Sequence, residues 1–415
     1  PTHFPNHQRF CGGPTQSRNR RLPMASSGKI STLQIKQMNN QLSTRLLHAD
    51  ECHEDQAVSP AISVTTTWSA QGEGADGRYV YGRIGTPVRD RAEVLLGELE
   101  GGHAVLYSSG LAALWAALVY YNPKRVAVDG GYHGTLFALD MYSRKYGTRL
   151  IGLEEDFKAG DMVWLETPKN PKCEVYDVAF FATKCQVTGA TLCVDSTFAP
   201  PPLQKLLTCG AHCIMHSSTK YLAGHSDALG GVLVVPKPKV AEDLRSERTL
   251  LGSVPGSLEA WLLVRSLRTL PLRVNQQNAS ALCIVQWLSS GAASHVVKVH
   301  HPSLSTSPGH AIAMRQMAGG YGPMFSFECD SEVLARTLPQ RTRLFLDATS
   351  LGGVESLMEW RYKHDKTQPL GLLRVSIGLE DAEDLIKDLE QALDAPLDVT
   401  SAPRCAAECE VSSNQ

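Results

Sequence analysis

The feature that most constrains the fold of this chain is a series of short apolar segments, each followed by a polar or glycine-bearing loop and then by a helical pattern. Such alternation is typical of an α/β domain with a mostly parallel sheet. The predicted strands are His103–Tyr107, Arg125–Asp129, Met162–Glu166, Ala190–Asp195 and His212–Ser217. The sequence therefore predicts an open α/β sheet in this part of the chain.

The loops after these strands are rich in hydroxyl, amide, glycine and charged residues. They are Ser108–Gly110, Gly131–Thr135, Thr167–Pro171, Ser196–Thr197 and Ser218–Lys220. Open α/β sheets bind ligands at the carboxyl ends of their strands. We therefore expect these loops to converge on one site.

A second, smaller domain is predicted to follow the sheet. Gly230–Pro236 is expected to be a further strand that closes the first domain. The pattern then changes to a long helix, Leu258–Leu270, and to a mixed segment with strands at Phe325–Glu328 and Leu373–Ile377 and a final helix near Asp381–Leu393. This mixture predicts an α+β domain at the C-terminal end.

The two ends of the chain are predicted to lie outside the packed domains. Residues 1–49 contain several arginines and no Asp or Glu, as organelle transit peptides do, but prolines and glycines interrupt any amphipathic helix and Met24 offers a later start. We favour a disordered or artefactual extension. The predicted segments are the extension (1–41), an N-terminal arm (42–80), the sheet domain (81–256), the α+β domain (257–394) and a flexible tail (395–415).

Charge and composition argue against several functional classes. The net charge is −2 and the pI is near 6.8, so the 415-residue chain has no excess positive charge to attract nucleic acid or an anionic membrane. Polar residues interrupt each apolar stretch well before the roughly 18 residues that span a bilayer. The 11 cysteines are scattered through predicted strands and helices, which predicts a reduced, cytoplasmic setting. Small-molecule chemistry is the expected function.

One cluster suggests a metal site. Cys209, Cys213 and His216 lie close together in the sequence. Their spacing matches no closed four-ligand zinc pattern, and no second pair follows at the distance found in zinc fingers. We therefore predict no metal.

Lys220 is the candidate for covalent chemistry. It lies just past a predicted strand, where burial would lower the pKa of its amine and allow it to form an imine with an aldehyde. Most lysines are solvated surface charges, so Lys220 alone is a weak signal. Ser217 and Thr219 strengthen it, because hydroxyls at alternating positions can face one way and donate to a phosphate.

Two more segments suit a phosphorylated aromatic cofactor. Ser108–Leu114 is a strand–turn–helix junction, whose backbone N–H groups and positive dipole end attract anions. A capped helix with a packing glycine would give the same pattern. Asp195 ends an apolar strand, so its carboxylate should be partly buried and need a cation, which a protonated pyridine nitrogen would supply.

A series of ordered motifs resembles those of the Cys/Met-metabolism pyridoxal-phosphate enzymes, the trans-sulfuration family of cystathionine gamma-synthases and lyases. The match runs from about residue 42 to 393. The motifs are Tyr81–Pro87, Ser108–Gly110, Glu166–Pro171, Val194–Ala199, Ser217–Asp227, Ser350–Leu357 and Leu373–Glu380. The resemblance implies pyridoxal 5'-phosphate as cofactor. It also implies an aspartate-aminotransferase-like (fold type I) α/β domain, with a mixed, mostly parallel sheet, plus a smaller α+β C-terminal domain.

The resemblance implies a role for each cofactor-binding residue. Lys220 would hold the cofactor as a Schiff base and remove the substrate Cα proton, while Asp195 would keep the pyridine nitrogen protonated. Asn170 would hydrogen-bond the ring hydroxyl. Tyr132 would stack on the ring and assist proton transfer, although His133 replaces the glycine that usually follows it. The phosphate would be bound by Ser109, Gly110, Leu111, Ser217, Thr219, Tyr81 and Arg83.

Other residues are implied in substrate binding and assembly. Tyr81 and Arg83 correspond to family residues that reach into a neighbouring subunit's site, which implies a homodimer or homotetramer with shared active sites. Tyr81 would also contact the small amino-acid substrate and take part in catalysis. Arg374 and Ser350 would clamp the substrate α-carboxylate, a bidentate task that suits a guanidinium.

The motifs favour γ-replacement or γ-elimination on an activated homoserine or a sulfur amino acid, with a Cβ–S lyase as the alternative. All these reactions begin with removal of the Cα proton, so the shared motifs do not separate them. Thr349 stands where many cystathionine γ-enzymes carry a glutamate that suits a distal amino group. A hydroxyl offers no such ion pair, so a non-cysteine thiol or a carbon nucleophile becomes an acceptable partner.

A second departure from the family lies at Glu359–Tyr362, where a proline-rich segment leading to a histidine is usual. We expect this loop to border the substrate entrance and to change the acceptor pocket. The alternative from another functional class is a catalytically silent regulatory protein of the same fold, although Lys220, Asp195 and Arg374 are all present.

Overall fold

The computed structural model describes residues 41–50, 58–69 and 79–396. Nearly all of the predicted N-terminal extension and of the C-terminal tail lie outside the described residues, as does part of the predicted arm. None of the helices in the described ranges is long and apolar enough to cross a membrane.

A seven-stranded mixed sheet forms the larger part of the fold. The strand order is β1-β7-β6-β5-β4-β2-β3. The strands are β1 (His103–Tyr107), β2 (Arg125–Ala127), β3 (Arg149–Ile151), β4 (Met162–Glu166), β5 (Thr191–Asp195), β6 (Cys213–His216) and β7 (Gly231–Val235). Strands β2 to β6 pair in parallel, and β7 is antiparallel to both β6 and β1. The carboxyl ends of β1 to β6 therefore lie at the same edge of the sheet.

Helices cover both faces of this sheet. They are α1 (Leu42–His48), α2 (Pro87–Glu100), α3 (Gly110–Tyr121), α4 (His133–Tyr146), α5 (Val178–Thr188), α6 (Pro238–Leu251) and α7 (Ser257–Leu267). Alternate residues of β4 point to different cores: Val163 and Leu165 join the cluster under α2 and α7, and Met162 and Trp164 join the cluster under α3 and α4. Strands that are buried on both faces are continuous apolar runs, which explains why β4 to β7 could be predicted from the sequence.

A smaller five-stranded sheet follows, in the order β10-β11-β12-β9-β8. Its strands are β8 (Val296–His300), β9 (Met324–Cys329), β10 (Leu346–Asp347), β11 (Leu357–Trp360) and β12 (Leu372–Ser376). The helices of this region are α8 (Leu270–Ser289), α9 (His310–Gln316), α10 (Glu332–Arg341) and α11 (Ala382–Asp394). Phe325, Phe327, Leu373 and Val375 pack under α8, α10 and α11 in a third core. The predicted fold class, a mixed α/β sheet with a smaller α+β part, is confirmed.

Several element predictions need correction. The helix expected over 258–270 is present but ends at Leu267, and a new helix begins at Leu270 with Pro271 in its first turn, where proline is tolerated. The expected loop at 359–362 is the end of β11 followed by a 3-10 turn at Arg361–Lys363. Its buried residues are charged rather than apolar, so no alternating apolar pattern marks it. Strands β3, β8 and β10 were also not predicted, and each carries exposed positions.

The predicted domain boundaries stay predictions. Helix α7 begins just after the boundary placed at residue 256. Its residues Ala260, Leu263 and Leu267 belong to the same apolar core as α2. The polypeptide thus keeps contact with the larger sheet before it enters the smaller one.

Candidate active site

A cavity of about 470 Å³ opens at the carboxyl edge of the large sheet, between it and the smaller sheet. This size is within the usual range for small-molecule sites. The cavity is lined by Ser109, Gly110, Leu111, Tyr132, His133, Thr135, Glu166, Asn170, Asp195, Thr197, Phe198, Met215, Ser217, Thr219, Lys220, Leu229, Thr349, Ser350, Leu351, Arg361, His364 and Arg374. Of the predicted site residues, all but Tyr81 and Arg83 line it, so the loops converge as expected.

Lys220 follows β6 and is largely buried. Its Nζ donates a hydrogen bond to Ser350 Oγ at 2.7 Å, and it forms no ion pair with a described residue. Burial, with a smaller contribution from the positive charge of Arg374, lowers the pKa of Lys220 from 10.5 to about 8. Roughly a tenth of this amine is therefore neutral and nucleophilic at pH 7, far more than of a surface lysine.

Two carboxylates lie side by side at the ends of β4 and β5. Glu166 and Asp195 are register partners in the parallel pair, and both are buried. Asp195 Oδ1 accepts hydrogen bonds from the backbone N–H and the hydroxyl of Thr197, but no cationic group in the described chain forms an ion pair with it. Burial raises the pKa of Asp195 above its ordinary value. A ring N–H⁺ in the cavity would provide the missing cation.

Glu166 organises the loops on either side of it. Its two carboxylate oxygens accept hydrogen bonds from the backbone N–H of Tyr132 at 2.7 Å and of Asn170 at 2.8 Å. Burial, together with the neighbouring Asp195, raises the pKa of Glu166 to about 8. Gly131 has a φ of +98°, and a Cβ there would lie 2.4 Å from Glu166 Oε2. A side chain at this position would thus displace the carboxylate that holds both loops.

The start of helix α3 suits an anion. Ser109 caps the helix by accepting a hydrogen bond from Ala112 N at 3.0 Å, and the first N–H groups of a helix have no partner within it. A Cβ on Gly110 would lie 3.1 Å from Ser217 Cβ, so the absence of a side chain lets the helix start approach the loop after β6. Together with the hydroxyls of Ser217 and Thr219, these donors form a cradle suited to a phosphate.

The Tyr132 side chain stands at the first turn of α4 and is 40% exposed. Its ring centroid lies 4.7 Å from that of His133. Asn170 is buried, and its side-chain oxygen accepts a weak hydrogen bond from Arg374 Nη1 at 3.4 Å. An aromatic face and an amide thus border the same space as Lys220.

Arg374 is fixed by a buried carboxylate from the neighbouring strand. Glu359 on β11 pairs in register with Arg374 on β12. One oxygen, Glu359 Oε2, lies 2.7 Å from Arg374 Nη2 and 2.7 Å from Arg361 Nη1. Arg374 Nη2 also donates to the backbone oxygen of Ser350 at 3.0 Å. Burial opposes ionisation of Glu359, but the two arginines outweigh it and lower the pKa of Glu359 below its ordinary value.

Tyr81 and Arg83 do not line this cavity. Arg83 Nη1 donates to the backbone oxygen of Thr249 at 3.0 Å, and the Tyr81 side chain is 42% exposed. Their guanidinium and ring are 5.4 Å apart. The expectation that both serve a neighbouring subunit's site stays a prediction.

Sequence reasoning missed several lining residues. Thr197 could have been predicted as an Asp195 partner, since a threonine two residues after an aspartate is well placed to hydrogen-bond the aspartate carboxylate. Glu166 ends a predicted strand, as Asp195 does, and stood within a recognised motif. Arg361 lies in the segment 359–362 that was expected to border the substrate entrance, and it does line the cavity. His364 had no such signal, because its position depends on the unpredicted strand β11.

The three residues considered as zinc ligands are not arranged around a common point. Cys213 packs in the core under α3 and α4, while His216 Nε2 contacts Glu100 Oε1 at 2.6 Å. Within the described ranges, no group of three or more His, Cys, Asp or Glu side chains is placed to hold a metal.

Comparison with known proteins agrees with this site. Residues 43–394 match the Cys/Met metabolism PLP-dependent enzyme family. A cystathionine beta-lyase of Lactococcus lactis is 35% identical over 81% of this chain and 94% of its own length. A cystathionine gamma-synthase of Mycobacterium bovis is 36% identical over 84% and 96%.

A solved structure gives the same result. The apo form of a methionine gamma lyase from Micromonospora echinospora superimposes with a TM-score of 0.79 at 37% identity, covering 85% of this chain and 99% of that one. The cavity offers an amine, a phosphate cradle, a buried acid that lacks a cation and a guanidinium, which together fit a phosphorylated pyridine aldehyde and an amino acid. The chain belongs to the Cys/Met metabolism family of PLP-dependent enzymes, and pyridoxal 5'-phosphate is its cofactor.

Proposed function

We propose that this enzyme carries out γ-replacement or γ-elimination on an activated homoserine or a sulfur amino acid, with Lys220 as the residue that binds the cofactor and moves the proton. The observation that carries the proposal is the environment of Lys220. Its amine has a lowered pKa, contacts Ser350 and shares a cavity with Asp195 and Arg374. A purely structural lysine would not require these neighbours.

Each neighbour has a defined task in this proposal. When bound, the cofactor supplies an electron sink that stabilises negative charge at the substrate Cα. Asp195 holds the proton of the ring nitrogen, and Thr197 fixes the orientation of its carboxylate through two hydrogen bonds. Asn170 hydrogen-bonds the ring hydroxyl, and Tyr132 covers the ring.

The phosphate is assigned to the cradle at the start of α3. Backbone N–H groups of Gly110 and Leu111, and the hydroxyls of Ser109, Ser217 and Thr219, are the donors on this chain. Their number and their place at a helix N-terminus suit a doubly charged group.

Arg374 binds the substrate α-carboxylate. Its guanidinium is held by Glu359 and by the Ser350 backbone oxygen, so the clamp is oriented before the substrate arrives. The side chain of the same residue, Ser350 Oγ, accepts a hydrogen bond from Lys220 Nζ. The base and the clamp are thus coupled through Ser350, which places the Cα proton near Lys220.

The shared motifs do not separate the γ reaction from the β reaction, and the named relatives include both kinds of enzyme. The γ proposal follows the resemblance to cystathionine gamma-synthases and lyases. Thr349 lines the cavity and offers no charge to a distal amino group. We therefore place cystathionine itself below smaller or uncharged partners as a substrate. A Cβ–S lyase is the second candidate.

We also propose that the active enzyme is a homodimer or homotetramer in a cytosolic, reducing setting. Tyr81 and Arg83 are exposed or surface-bound in their own chain, as donors to another subunit would be. The described cysteines are free thiols. Reduced thiols are the normal state in the cytosol.

Replacing Lys220 with Ala should abolish the visible absorbance of the lysine-bound cofactor and all turnover. The physical reason is that Lys220 is the one lysine among the described residues that line the cavity. Lys205→Ala, on an exposed lysine of the same sheet region, is the matched control and should keep both signals. An unchanged spectrum in Lys220→Ala would contradict the assignment of Lys220 as the cofactor-binding residue. A wild-type protein with the normal cofactor spectrum but no turnover of any amino acid would favour the silent regulatory protein.

The pH dependence of cofactor uptake should follow the lowered pKa of Lys220. Only the neutral amine attacks an aldehyde, so the rate at which apoenzyme takes up pyridoxal 5'-phosphate should rise with pH and level off above about 8. Removing the positive charge in Arg374→Gln should move this inflection to higher pH. An inflection near the ordinary lysine value in the wild-type protein would contradict the described environment.

Product analysis should separate γ from β chemistry. The enzyme should be assayed with O-acetylhomoserine, cystathionine, cysteine and methionine while the 2-oxo acids are identified by chromatography. Elimination at Cγ gives 2-oxobutyrate, whereas elimination at Cβ of cystathionine gives pyruvate. Pyruvate as the sole oxo acid from cystathionine would replace the γ proposal with the Cβ–S lyase.

Shared active sites should be detectable by mixing inactive variants. Arg83→Ala and Lys220→Ala damage different sites if Arg83 acts in the neighbouring subunit. A 1:1 mixture unfolded and refolded together should then regain roughly one quarter of wild-type activity, because half of the dimers are hybrids with one intact site. No recovery, with both variants dimeric by sedimentation, would place Arg83 outside the partner's site.

A further inference from the structure

His133 is a cavity histidine that makes no hydrogen bond. It is the first residue of α4 and lines the active-site cavity. Its Nδ1 is buried without a partner among the described residues, and neither ring nitrogen bonds to another group in that part of the chain. A buried polar nitrogen without a partner is unfavourable, so its presence at a ligand cavity calls for an explanation.

The three buried histidines of the described chain are all bonded through at least one ring nitrogen. His216 and His300 each contact a glutamate, at 2.6 and 2.7 Å, and His301 contacts a backbone oxygen at 3.0 Å. These contacts account for the positions of all three. His133 has no contact of this kind, which leaves its nitrogens for a group that enters the cavity.

Two aromatic neighbours, rather than hydrogen bonds, hold the imidazole. The ring centroid of His133 lies 4.7 Å from that of Tyr132, with an angle of 55° between the planes. Phe137, one turn further along α4, meets the imidazole edge-on at 6.0 Å. Ring contacts of this kind hold a side chain without engaging its nitrogens. The imidazole is therefore positioned at the cavity wall with both nitrogens available.

The surroundings of His133 keep its imidazole neutral. Burial is the main cause that lowers the pKa of His133 below its ordinary 6.5, and the positive charges of Arg361 and His364 add to this effect. Glu359 opposes them, while Arg374 acts in the same direction as Arg361. At pH 7 the imidazole thus has one N–H and one lone pair, so it can accept a proton.

The proposed γ-replacement needs a base besides Lys220. Lys220, which follows β6, is assigned to the Cα proton of the substrate. The incoming nucleophile also loses a proton when it bonds to Cγ, and a thiol with a pKa of about 8.5 is mostly protonated at pH 7. A neutral imidazole is the usual group for such a transfer. His133 offers one from a different element of the same cavity.

We propose that His133 is a second catalytic base, which removes the proton of an incoming thiol or of another nucleophile that is protonated at neutral pH. The inference rests on the proposed function and adds a residue to it. Over the whole replacement, the S–H bond breaks and its electron pair forms the S–Cγ bond. The Cγ–O bond of the activated homoserine breaks, and its electron pair leaves with the carboxylate. The thiol proton passes to the imidazole and then to water.

The test compares two thiols that differ in their need for a base. The holoenzyme is given O-acetylhomoserine with ethanethiol, which is protonated at pH 8, or with thiophenol, which is ionised there. His133→Gln should lower the rate of thioether formation from ethanethiol about 100-fold, as expected for the loss of a general base, and change the thiophenol rate less than about threefold. The thioethers are quantified by mass spectrometry. An equal loss with both thiols would overturn the proposal.

The pH dependence gives a readout that a structural role would not change. The ethanethiol rate is divided by the rate at which the Cα hydrogen of the donor exchanges with deuterated water, a step assigned to Lys220. In the wild type this ratio should level off above an inflection below 6.5, because His133 is then neutral. In His133→Gln it should keep rising toward the pKa of the thiol, because only thiolate from solution reacts. A ratio that rises alike in both proteins would contradict the assignment of a base.

Two further variants control for folding and for the loss of a histidine. His133→Gly leaves a space of imidazole size, so free imidazole in the buffer should restore its ethanethiol rate and leave its thiophenol rate unchanged, even if His133→Gln fails to fold. Imidazole that restores neither rate, or both, would speak against proton transfer. His295→Gln removes an exposed histidine that pairs with Asp330 just before β8, and it should keep both rates.

The same assays separate this inference from the proposed function. If the donor neither exchanges its Cα hydrogen nor reacts with any thiol, the proposed function fails and the inference falls with it. If exchange and thioether formation occur but the two thiols respond alike to His133→Gln, the reaction stands and His133 has a structural role.

Discussion

The structure depends on the placement of two carboxylates, Glu166 and Asp195, next to each other at a buried sheet edge. The parallel register of β4 and β5 forces them together, and burial makes two adjacent negative charges costly. The molecule uses them differently. Glu166 accepts backbone hydrogen bonds that fix the loops bearing Tyr132 and Asn170. Asp195 is hydrogen-bonded by Thr197 and forms no ion pair with a described residue, so it remains ready for a cationic ring nitrogen.

The second half of the site is built by the opposite arrangement, a carboxylate between cations. Glu359 is buried between Arg374 and Arg361, and the antiparallel register of β11 and β12 sets the first of these contacts. Removing Glu359 would take away the carboxylate that both buried guanidinium groups contact, which is the costly way to break a buried pair. The cavity therefore has an acidic wall on the large sheet and a basic wall on the small one. An amino acid with its carboxylate at Arg374 is oriented by this asymmetry.

Much of the large sheet and of its site could be predicted because the chemistry stands at the ends of regular elements. Asp195 ends β5 and Lys220 follows β6, so short continuous apolar runs and one topological rule were enough to bring them together. The ordered motifs supplied the roles that this pattern could not. The end of the helix expected over 258–270 was misplaced for a local reason, since Pro271 is compatible both with a break and with a helix start.

The basic wall was predicted only in part: the segment 359–362 was expected to border the substrate entrance, but its strand and its buried ion pairs were not expected. Strand β11 buries Glu359, and the adjoining 3-10 turn buries Arg361, so the charged residues are internal and no apolar alternation marks the strand. Burial of these side chains is possible only because Arg374 arrives from β12, more than ten residues further along the chain. A single sequence does not reveal that pairing. Where a core is made of ion pairs, its elements are invisible to hydrophobic periodicity, and such cores occur where a ligand completes the charge balance.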